Sequence, residues 1–314
     1  MTDGHVRVSF LKTWFIAVRP FSYTASVLAV LLGLALSYHM GYAIRWVPGI
    51  VTLVGVVFFQ AAANLFNDCY DHKHGLDTEV NPVSGGVVRG LITEKQAFGG
   101  GSLFLMLGIA CGLYLVAQAG WVVLLLGVIG SSFAVAYTRG GWCLKYIGLG
   151  DVTIFCSFGV LPVFGAFYVQ AGIFSWAPLL WSVPLTLLTV GILHANNWRD
   201  NQSDPGKGCR TVASMLGDRG SAVYYRLLVL GPFALVLVYF AVGLLPGVSL
   251  PAPPTVFIAL LALPPAAKLI KSSKNKYAEG DRVSFLGLDG QTARVHCIFG
   301  SLLTLAIFVA KRVA

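Results

Sequence analysis

Charge is scarce in this sequence. Only 11% of its 314 residues are Asp, Glu, Lys or Arg, whereas 56% are hydrophobic and the mean hydropathy is +0.76. Soluble domains carry about a quarter charged residues, so this balance excludes an ordinary water-soluble globule and a disordered chain alike. Paired cysteines are missing too. Cys69, Cys111, Cys143, Cys156, Cys209 and Cys297 are scattered without a C-x-x-C pair, which excludes a thioredoxin-type motif or a zinc ribbon and leaves them as small buried hydrophobes. A net charge of +9 would suggest nucleic acid in a soluble protein. Here no Lys/Arg run and no interleaving of basic with aromatic residues occurs, so topology and an anionic membrane surface account for the charge. The first apolar stretch lacks a small-residue cleavage site and reads as a membrane span, not as a cleavable signal peptide.

What the sequence has is long apolar stretches. One crossing takes about 20 apolar residues, so the length accommodates roughly eight to ten spans with short loops. A single domain over 1–314 is expected. Nine stretches stand out, at 21–39, 46–66, 99–118, 120–137, 150–170, 176–197, 222–244, 254–270 and 294–311. Short and longer connections alternate, and the longer ones, at 67–98, 138–149, 198–221 and 271–293, hold nearly all the charge. On this threading 19 of the 22 Lys and Arg fall on one side, with Arg45, Lys311 and Arg312 on the other. The bias of basic residues toward cytoplasmic loops puts the N-terminus inside and the C-terminus outside, and the expected location is a bacterial cytoplasmic membrane. All 13 acidic residues lie on the same side, which orientation does not require. A mixed-charge rim on one side of an apolar body points to chemistry at the cytoplasmic face.

Two acidic clusters stand on that rim. The second stretch runs into Asn64-Leu-Phe-Asn67-Asp68-Cys-Tyr-Asp71-His-Lys-His-Gly75-Leu-Asp77. If the helix continues, Asn64, Asn67, Asp68 and Asp71 share one face at i, i+3, i+4 and i+7, and Gly75 ends the helix and turns Asp77 back toward it. The sixth stretch ends in His194-Ala-Asn196-Asn197-Trp-Arg199-Asp200-Asn-Gln-Ser-Asp204-Pro205, where Asn196 or Asn197, Asp200 and Asp204 stack at intervals of three or four until Pro205 closes the run. Carboxylates gathered this closely repel one another unless a cation joins them, and unpaired acids at membrane level are costly. Oxygen ligands of this kind suit Mg²⁺, which takes one or two carboxylates together with substrate phosphate oxygens. The clusters therefore read as two Mg²⁺-carrying walls around a diphosphate.

Basic residues nearby in sequence suit phosphate oxygens: Arg89, Lys145, and Lys207 or Arg210. The Gly85-Gly86 and Gly140-Gly141 pairs mark flexible loops able to close over a site. Gly108-x-x-x-Gly112 and Ala61 to Ala63 read as helix-packing positions.

At these residues the chain resembles the UbiA superfamily of intramembrane prenyltransferases. Asn67-Asp68-x-x-Asp71 with Asp77 is similar to that family's first aspartate-rich motif, and Asp200-x-x-x-Asp204 to its second. Within it the likeness is greatest to the 1,4-dihydroxy-2-naphthoate polyprenyltransferases of menaquinone biosynthesis. That likeness rests on Gly75-x-Asp77, Ser84-Gly-Gly, Tyr137-Thr, Leu144-Lys-Tyr146-Ile-Gly148-Leu-Gly150-Asp151, Tyr168-Val-Gln170 and Asn196-Asn-Trp-Arg199-Asp200. Asp77 follows Asp71 by six positions where the superfamily usually has four, and Lys145 stands where the naphthoate branch has a neutral residue.

The resemblance implies an all-α polytopic membrane protein, a UbiA-type bundle of about nine transmembrane helices with a central cavity open to the cytoplasm. It implies an isoprenyl diphosphate donor, an aromatic acceptor, and two Mg²⁺ held by Asn67, Asp68, Asp71, Asp200 and Asp204. Asp68, Asp71, Asp200 and Asp204 are then catalytic, while Asn64, Asn67, Asp77, Arg89, Tyr137, Lys145, Asn197 and Lys207 bind substrate. Charge taken up on the leaving diphosphate favours ionisation to an allylic cation, which aromatic side chains stabilise until the acceptor ring attacks. The implied acceptor is 1,4-dihydroxy-2-naphthoate, losing CO₂ to give a demethylmenaquinone; 4-hydroxybenzoate, homogentisate and glycerol phosphate are the alternatives. Membrane lipid is the expected surrounding, with no nucleic acid and no obligate protein partner.

A transporter would need polar groups near the midplane and access from both sides, whereas these acids crowd one face. Asp289-Gly290-Gln-Thr-Ala293-Arg294 mimics the start of the CDP-alcohol phosphotransferase motif, but no acid follows Asp289, which excludes that chemistry. Asp289 and Arg294 instead shape the start of the last span.

Overall fold

The computed structural model describes residues 9–73, 85–138, 144, 147–200, 210–247, 250–277 and 285–310. Among these residues the regular elements are all helical. They are α1 (Phe10–Val18), α2 (Tyr23–His39), α3 (Trp46–Lys73), α4 (Glu94–Ala119), α5 (Trp121–Thr138), α6 (Gly150–Ile154), α7 (Leu161–Ala171), α8 (Trp176–Arg199), α9 (Val212–Gly243), α10 (Leu263–Ser272) and α11 (Leu288–Phe308). A π-helical run, Phe155–Val160, joins α6 to α7, and a 3-10 run, Pro254–Ala262, leads into α10. Helix is what lipid demands, because no water is present to satisfy a backbone N–H or C=O.

Seven of these helical runs are long and apolar enough to cross a membrane, and eight if α1 and α2 are counted as one broken span. This is the make-up of an integral membrane protein. Each expected stretch falls on an apolar helical run; among the described residues seven or eight are long enough to cross, and Trp121–Tyr137 is a shorter apolar helix beside them. Several helices outrun their apolar stretches because their ends are fixed by polar caps. A reciprocal pair of bonds between Thr93 and Gln96 starts α4, and a capping box between Thr211 and Ser214 starts α9.

The chain forms two compact units, one of Met1–Tyr23 with Val54–Cys111 and one of Thr24–Leu53 with Gly112–Ala314. In the first, α1, the later turns of α3 and the first part of α4 pack around Ala17, Leu65, Cys69, Val87, Ile92 and Ala97. In the second, α2, α7, α8, α9 and α11 pack around Leu32, Phe167, Trp181, Leu185, Tyr225 and Phe299. Lipid supplies no hydrophobic force between helices, so close approach at small residues does much of the joining. A Cβ on Gly33 of α2 would lie 2.3 Å from the Val163 carbonyl oxygen, and one on Gly159 in the π-helical run 1.8 Å from Thr186 Oγ1. At the end of the second unit that carries Arg45, the guanidinium bonds the Gln118 side chain (3.1 Å) and the Val169 carbonyl (3.2 Å), while the Arg45 backbone N–H donates to Gln170 Oε1 (2.7 Å). That cation is a structural tie.

Candidate active site

Asn64, Asn67, Asp68 and Asp71 all lie on α3, as their spacing predicts. The C-terminal end of a helix carries partial negative charge, so acids there need donors or cations beside them. Asp68 has both. It is fully buried, and its carboxylate accepts from the Arg19 guanidinium (3.2 Å to Oδ1) and from the Val87 backbone N–H (2.8 Å to Oδ2). Each oxygen keeps a further lone pair for another partner. Arg19 reaches Asp68 from a left-handed backbone (φ 51, ψ 62), and no other non-glycine residue among the described ones has a positive φ. Such a conformation costs about 1–2 kcal/mol outside glycine, an expense that structures retain at functional positions.

Gly85 makes the Val87 contact possible. A Cβ there would sit 2.1 Å from Asp68 Oδ1, and one on Gly86 would meet Ala17 and Ile92 at 3.0 Å. The flexible flap expected at Gly85-Gly86 is instead a buried, close-packed strap over the carboxylate. Arg89 follows in the same turn, half-buried and in contact with the surrounding protein. The Asn64 amide nitrogen donates to the Val18 carbonyl (2.8 Å) and to Ser22 Oγ (2.9 Å), and Oδ1 accepts from Gln60 (3.4 Å). Asn64 therefore ties α3 to the end of α1. Asn67 and Asp71 are half-buried on the same end of α3. His72 Nδ1 meets Glu94 Oε1 at 2.7 Å, which ties α3 to α4.

In the second unit α8 ends at Arg199, with Asp200 as its C-cap. The run expected to continue through Pro205 leaves the described residues after Asp200. Asp204, Lys207 and Pro205 lie outside the described residues, as do Asp77, Lys145 and the Gly140-Gly141 pair. Arg199 organises what remains: Nε donates to Asp200 Oδ1 (2.9 Å), Nη1 to Asp289 Oδ2 (2.7 Å), and Nη2 to Asn196 Oδ1. Asp289, expected to shape the start of the last span with a site role left open, is therefore joined to the second motif through one guanidinium. Asn197 is buried. Trp198, also buried, donates from Nε1 to Asp218 (2.8 Å), which pairs with Lys276. Tyr137 lies half-buried on α5 and contacts the surrounding protein.

Sequence reasoning missed Arg19, the Val87 N–H, Gly85 as a point of close approach, and the Arg199–Asp289 pair. Their sequence separations are long, and only the left-handed, pre-proline Arg19 carried any local signal. Among the described residues no three His, Cys, Asp or Glu side chains form a metal-binding group by themselves. Mg²⁺ does not need one, since it takes one or two carboxylates and completes its shell with water and phosphate oxygens. The oxygen donors Asn67, Asp68 and Asp71, all on the end of α3 with Asp68 held rigid, fit that ion.

A sequence model of the UbiA prenyltransferase family matches residues 25–286. The chain is 32% identical over 303 residues to UbiA prenyltransferase domain-containing protein 1 of Xenopus tropicalis, covering 95% of this chain and 82% of that protein. It is 36% identical over 225 residues to the protein of that name from Danio rerio, covering 71% of this chain and 66% of that one. Of solved structures, that of a UbiA homolog from Archaeoglobus fulgidus bound to GPP and Mg²⁺ shares the fold with a TM-score of 0.62 at 11% identity, over 93% of this chain and 99% of that one. A structure from work on digeranylgeranylglyceryl phosphate synthase in membranes shares it with a TM-score of 0.57 at 19% identity, over 96% and 98%.

Proposed function

We propose, from the premise that this chain belongs to the UbiA prenyltransferase family, that it transfers a polyprenyl group from an isoprenyl diphosphate to an aromatic acceptor in a Mg²⁺-dependent reaction. The observation that carries this reading is the buried Asp68 carboxylate at the end of a spanning helix, held by Arg19 and the Val87 N–H one turn before Asp71. An acid in such a chain is costly to bury and marks a functional site by default. The donor class is supported by the A. fulgidus homolog, which is bound to GPP and Mg²⁺.

Asn67, Asp68, Asp71, Asp200 and Asp204 would hold Mg²⁺, which when bound supplies Lewis-acid stabilisation of the charge on the leaving diphosphate. The residues of the chain do the rest. Asp68 and Asp200 are kept in place by Arg19 and Arg199. Arg89, Lys145 and Lys207 neutralise phosphate oxygens, and Asn64, Asp77, Tyr137 and Asn197 complete the binding of substrate. Both units serve one catalytic domain, 1–314, in the cytoplasmic membrane of a bacterium, with the N-terminus and both motifs on the basic, cytoplasmic side.

The acceptor we propose is 1,4-dihydroxy-2-naphthoate, attacked at its carboxyl-bearing carbon with loss of CO₂ to give a demethylmenaquinone. Support comes from the short stretches Gly75-x-Asp77, Tyr137-Thr and Asn196-Asn-Trp-Arg199-Asp200. The shared name of the curated relatives specifies no acceptor. Purified protein given Mg²⁺, a polyprenyl diphosphate and a panel of dihydroxynaphthoate, 4-hydroxybenzoate, homogentisate and glycerol phosphate should release diphosphate and CO₂ with the first at the highest kcat/KM. A higher kcat/KM on any of the others would replace the acceptor, and no transfer to any of them would remove the proposal.

A further inference from the structure

A second polar site lies in the second unit, between the first turn of α6 and the last turns of α8, outside the acidic motifs. Asp151, on the first turn of α6, and His194, on α8, are buried, their side chains 6% and 0% exposed, with Oδ2 and Nδ1 3.9 Å apart. That is too long for a hydrogen bond. By strict hydrogen-bond geometry neither carboxylate oxygen of Asp151 and neither ring nitrogen of His194 closes a bond, although the Tyr224 hydroxyl of α9 approaches Asp151 and the Ser221 backbone approaches His194. Tyr224 also packs edge-on against the imidazole at 4.8 Å.

Buried polar atoms are nearly always satisfied, and each one left unmade costs about 1–3 kcal/mol. A buried carboxylate and a buried imidazole that face each other without a closed hydrogen bond between them are an expensive arrangement for structure alone. The spacing fits one guest. A hydroxyl oxygen placed about 2.8 Å from both Asp151 Oδ2 and His194 Nδ1 fits between groups 3.9 Å apart. It would donate to the carboxylate and accept from the imidazole. His194 is also six residues before Asp200 on the same chain run, about 9 Å along a helix axis.

We infer that Asp151 and His194 form the binding site for a ring hydroxyl of the aromatic acceptor, and that Asp151 is the base that takes its proton. This rests on the proposed prenyl transfer. The hydroxyl O–H bond breaks, its proton goes to Asp151, and its electron pair stays on oxygen and enriches the ring. The ring carbon forms a bond to C1 of the prenyl group as the C1–O bond breaks, with that pair leaving on diphosphate. Where the attacked carbon bears a carboxylate, CO₂ leaves and its bonding pair restores the aromatic ring; otherwise the ring proton passes to water. Either way the negative charge returns to the acceptor oxygen, which takes its proton back from Asp151 before product departs. His194 holds the acceptor oxygen in place throughout.

The test uses purified full-length protein with Mg²⁺, a polyprenyl diphosphate and two acceptors, one with an ordinary phenolic hydroxyl and one whose hydroxyl is already ionised at the assay pH. Asp151→Asn should lower kcat on the ordinary acceptor by about 10²–10⁴-fold, the usual value of a positioned base, and recover most of that loss on the ionised one. KM for the prenyl diphosphate should not change. His194→Gln should weaken binding of 1-hydroxy-2-naphthoate, read by its fluorescence, by about tenfold, the value of one hydrogen bond to a partner left unpaired. Equal losses on both acceptors, a raised donor KM, or unchanged naphthoate binding would assign the pair to structure and overturn the inference. A wild-type protein that binds naphthoate in a His194-dependent manner yet transfers no prenyl group would leave this site standing and refute prenyl transfer instead; one that does not bind naphthoate overturns the site.

Discussion

A single methyl group at Gly85 should reach the Asp68 carboxylate without altering any acid. The added Cβ would sit 2.1 Å from Oδ1 and 2.4 Å from Oδ2, where ordinary contact begins near 3.4 Å. Either the carboxylate or the 85–87 strap must retreat by more than an ångström. The Val87 N–H bond at 2.8 Å and the Arg19 pairing at 3.2 Å then cannot both survive. Overpacking of this kind costs about 1–3 kcal/mol, a hydrogen bond to a charged group is worth about 1.5–3 kcal/mol, and misplacing a catalytic group by about 1 Å costs about 10²-fold in rate. Gly85→Ala should therefore lower kcat/KM by about 10²-fold in a diphosphate-release assay. Gly86→Ala is the control, because its Cβ meets only Ala17 and Ile92 carbons at 3.0 Å; it should lower the melting temperature yet keep most of the activity. If Gly85→Ala turns over at the wild-type rate, or no slower than Gly86→Ala, the strap does not position Asp68 and the reasoning fails.

Asp289→Asn removes the carboxylate that anchors Arg199 at 2.7 Å, so we expect a fall of about tenfold in kcat, with Arg199→Lys adding less than its own separate loss because the two share one network; fully additive losses would contradict the shared role. Gly159→Ala drives a Cβ to within 1.8 Å of Thr186 Oγ1 and should destabilise the second unit by about 1–3 kcal/mol. Thermal unfolding in detergent should show most of that cost regained in the Gly159→Ala/Thr186→Ala double variant. Trp198→Phe deletes the 2.8 Å bond to Asp218 and should cost about 1 kcal/mol, measured in the same way.

The helices were legible in the sequence because lipid requires nearly continuous apolarity over a whole crossing. Their ends were less so. The stretch expected at 46–66 continues as helix to Lys73, and the one expected from 222 is preceded by a capped helical turn from Val212 that breaks at Gly217 (φ 62), because caps and charged turns obey local hydrogen bonding instead of hydropathy. The grouping of Asn64, Asn67, Asp68 and Asp71 on one helix was legible as well, since acids are rare in such a chain and helical spacing groups them. What escaped was every pairing across the chain: Arg19 with Asp68, 49 residues away; Arg199 with Asp289, 90 away; Asp151 with His194. Periodicity reports which face a residue occupies on its own helix and is silent about the helix it meets. The π-helical run at Phe155–Val160 likewise gave no sign, because its apolar residues suit either helix type.

The most direct measurement is the rate of prenyl transfer in the presence and absence of Mg²⁺ for the wild type, Asp68→Ala and Asp200→Ala, each checked for folding by thermal unfolding. Transfer that requires Mg²⁺ and falls by several orders of magnitude in both folded variants is the predicted result. Transfer that persists with Mg²⁺ removed by chelation, or at an unchanged rate in either variant, would contradict the assignment of these carboxylates to the leaving diphosphate.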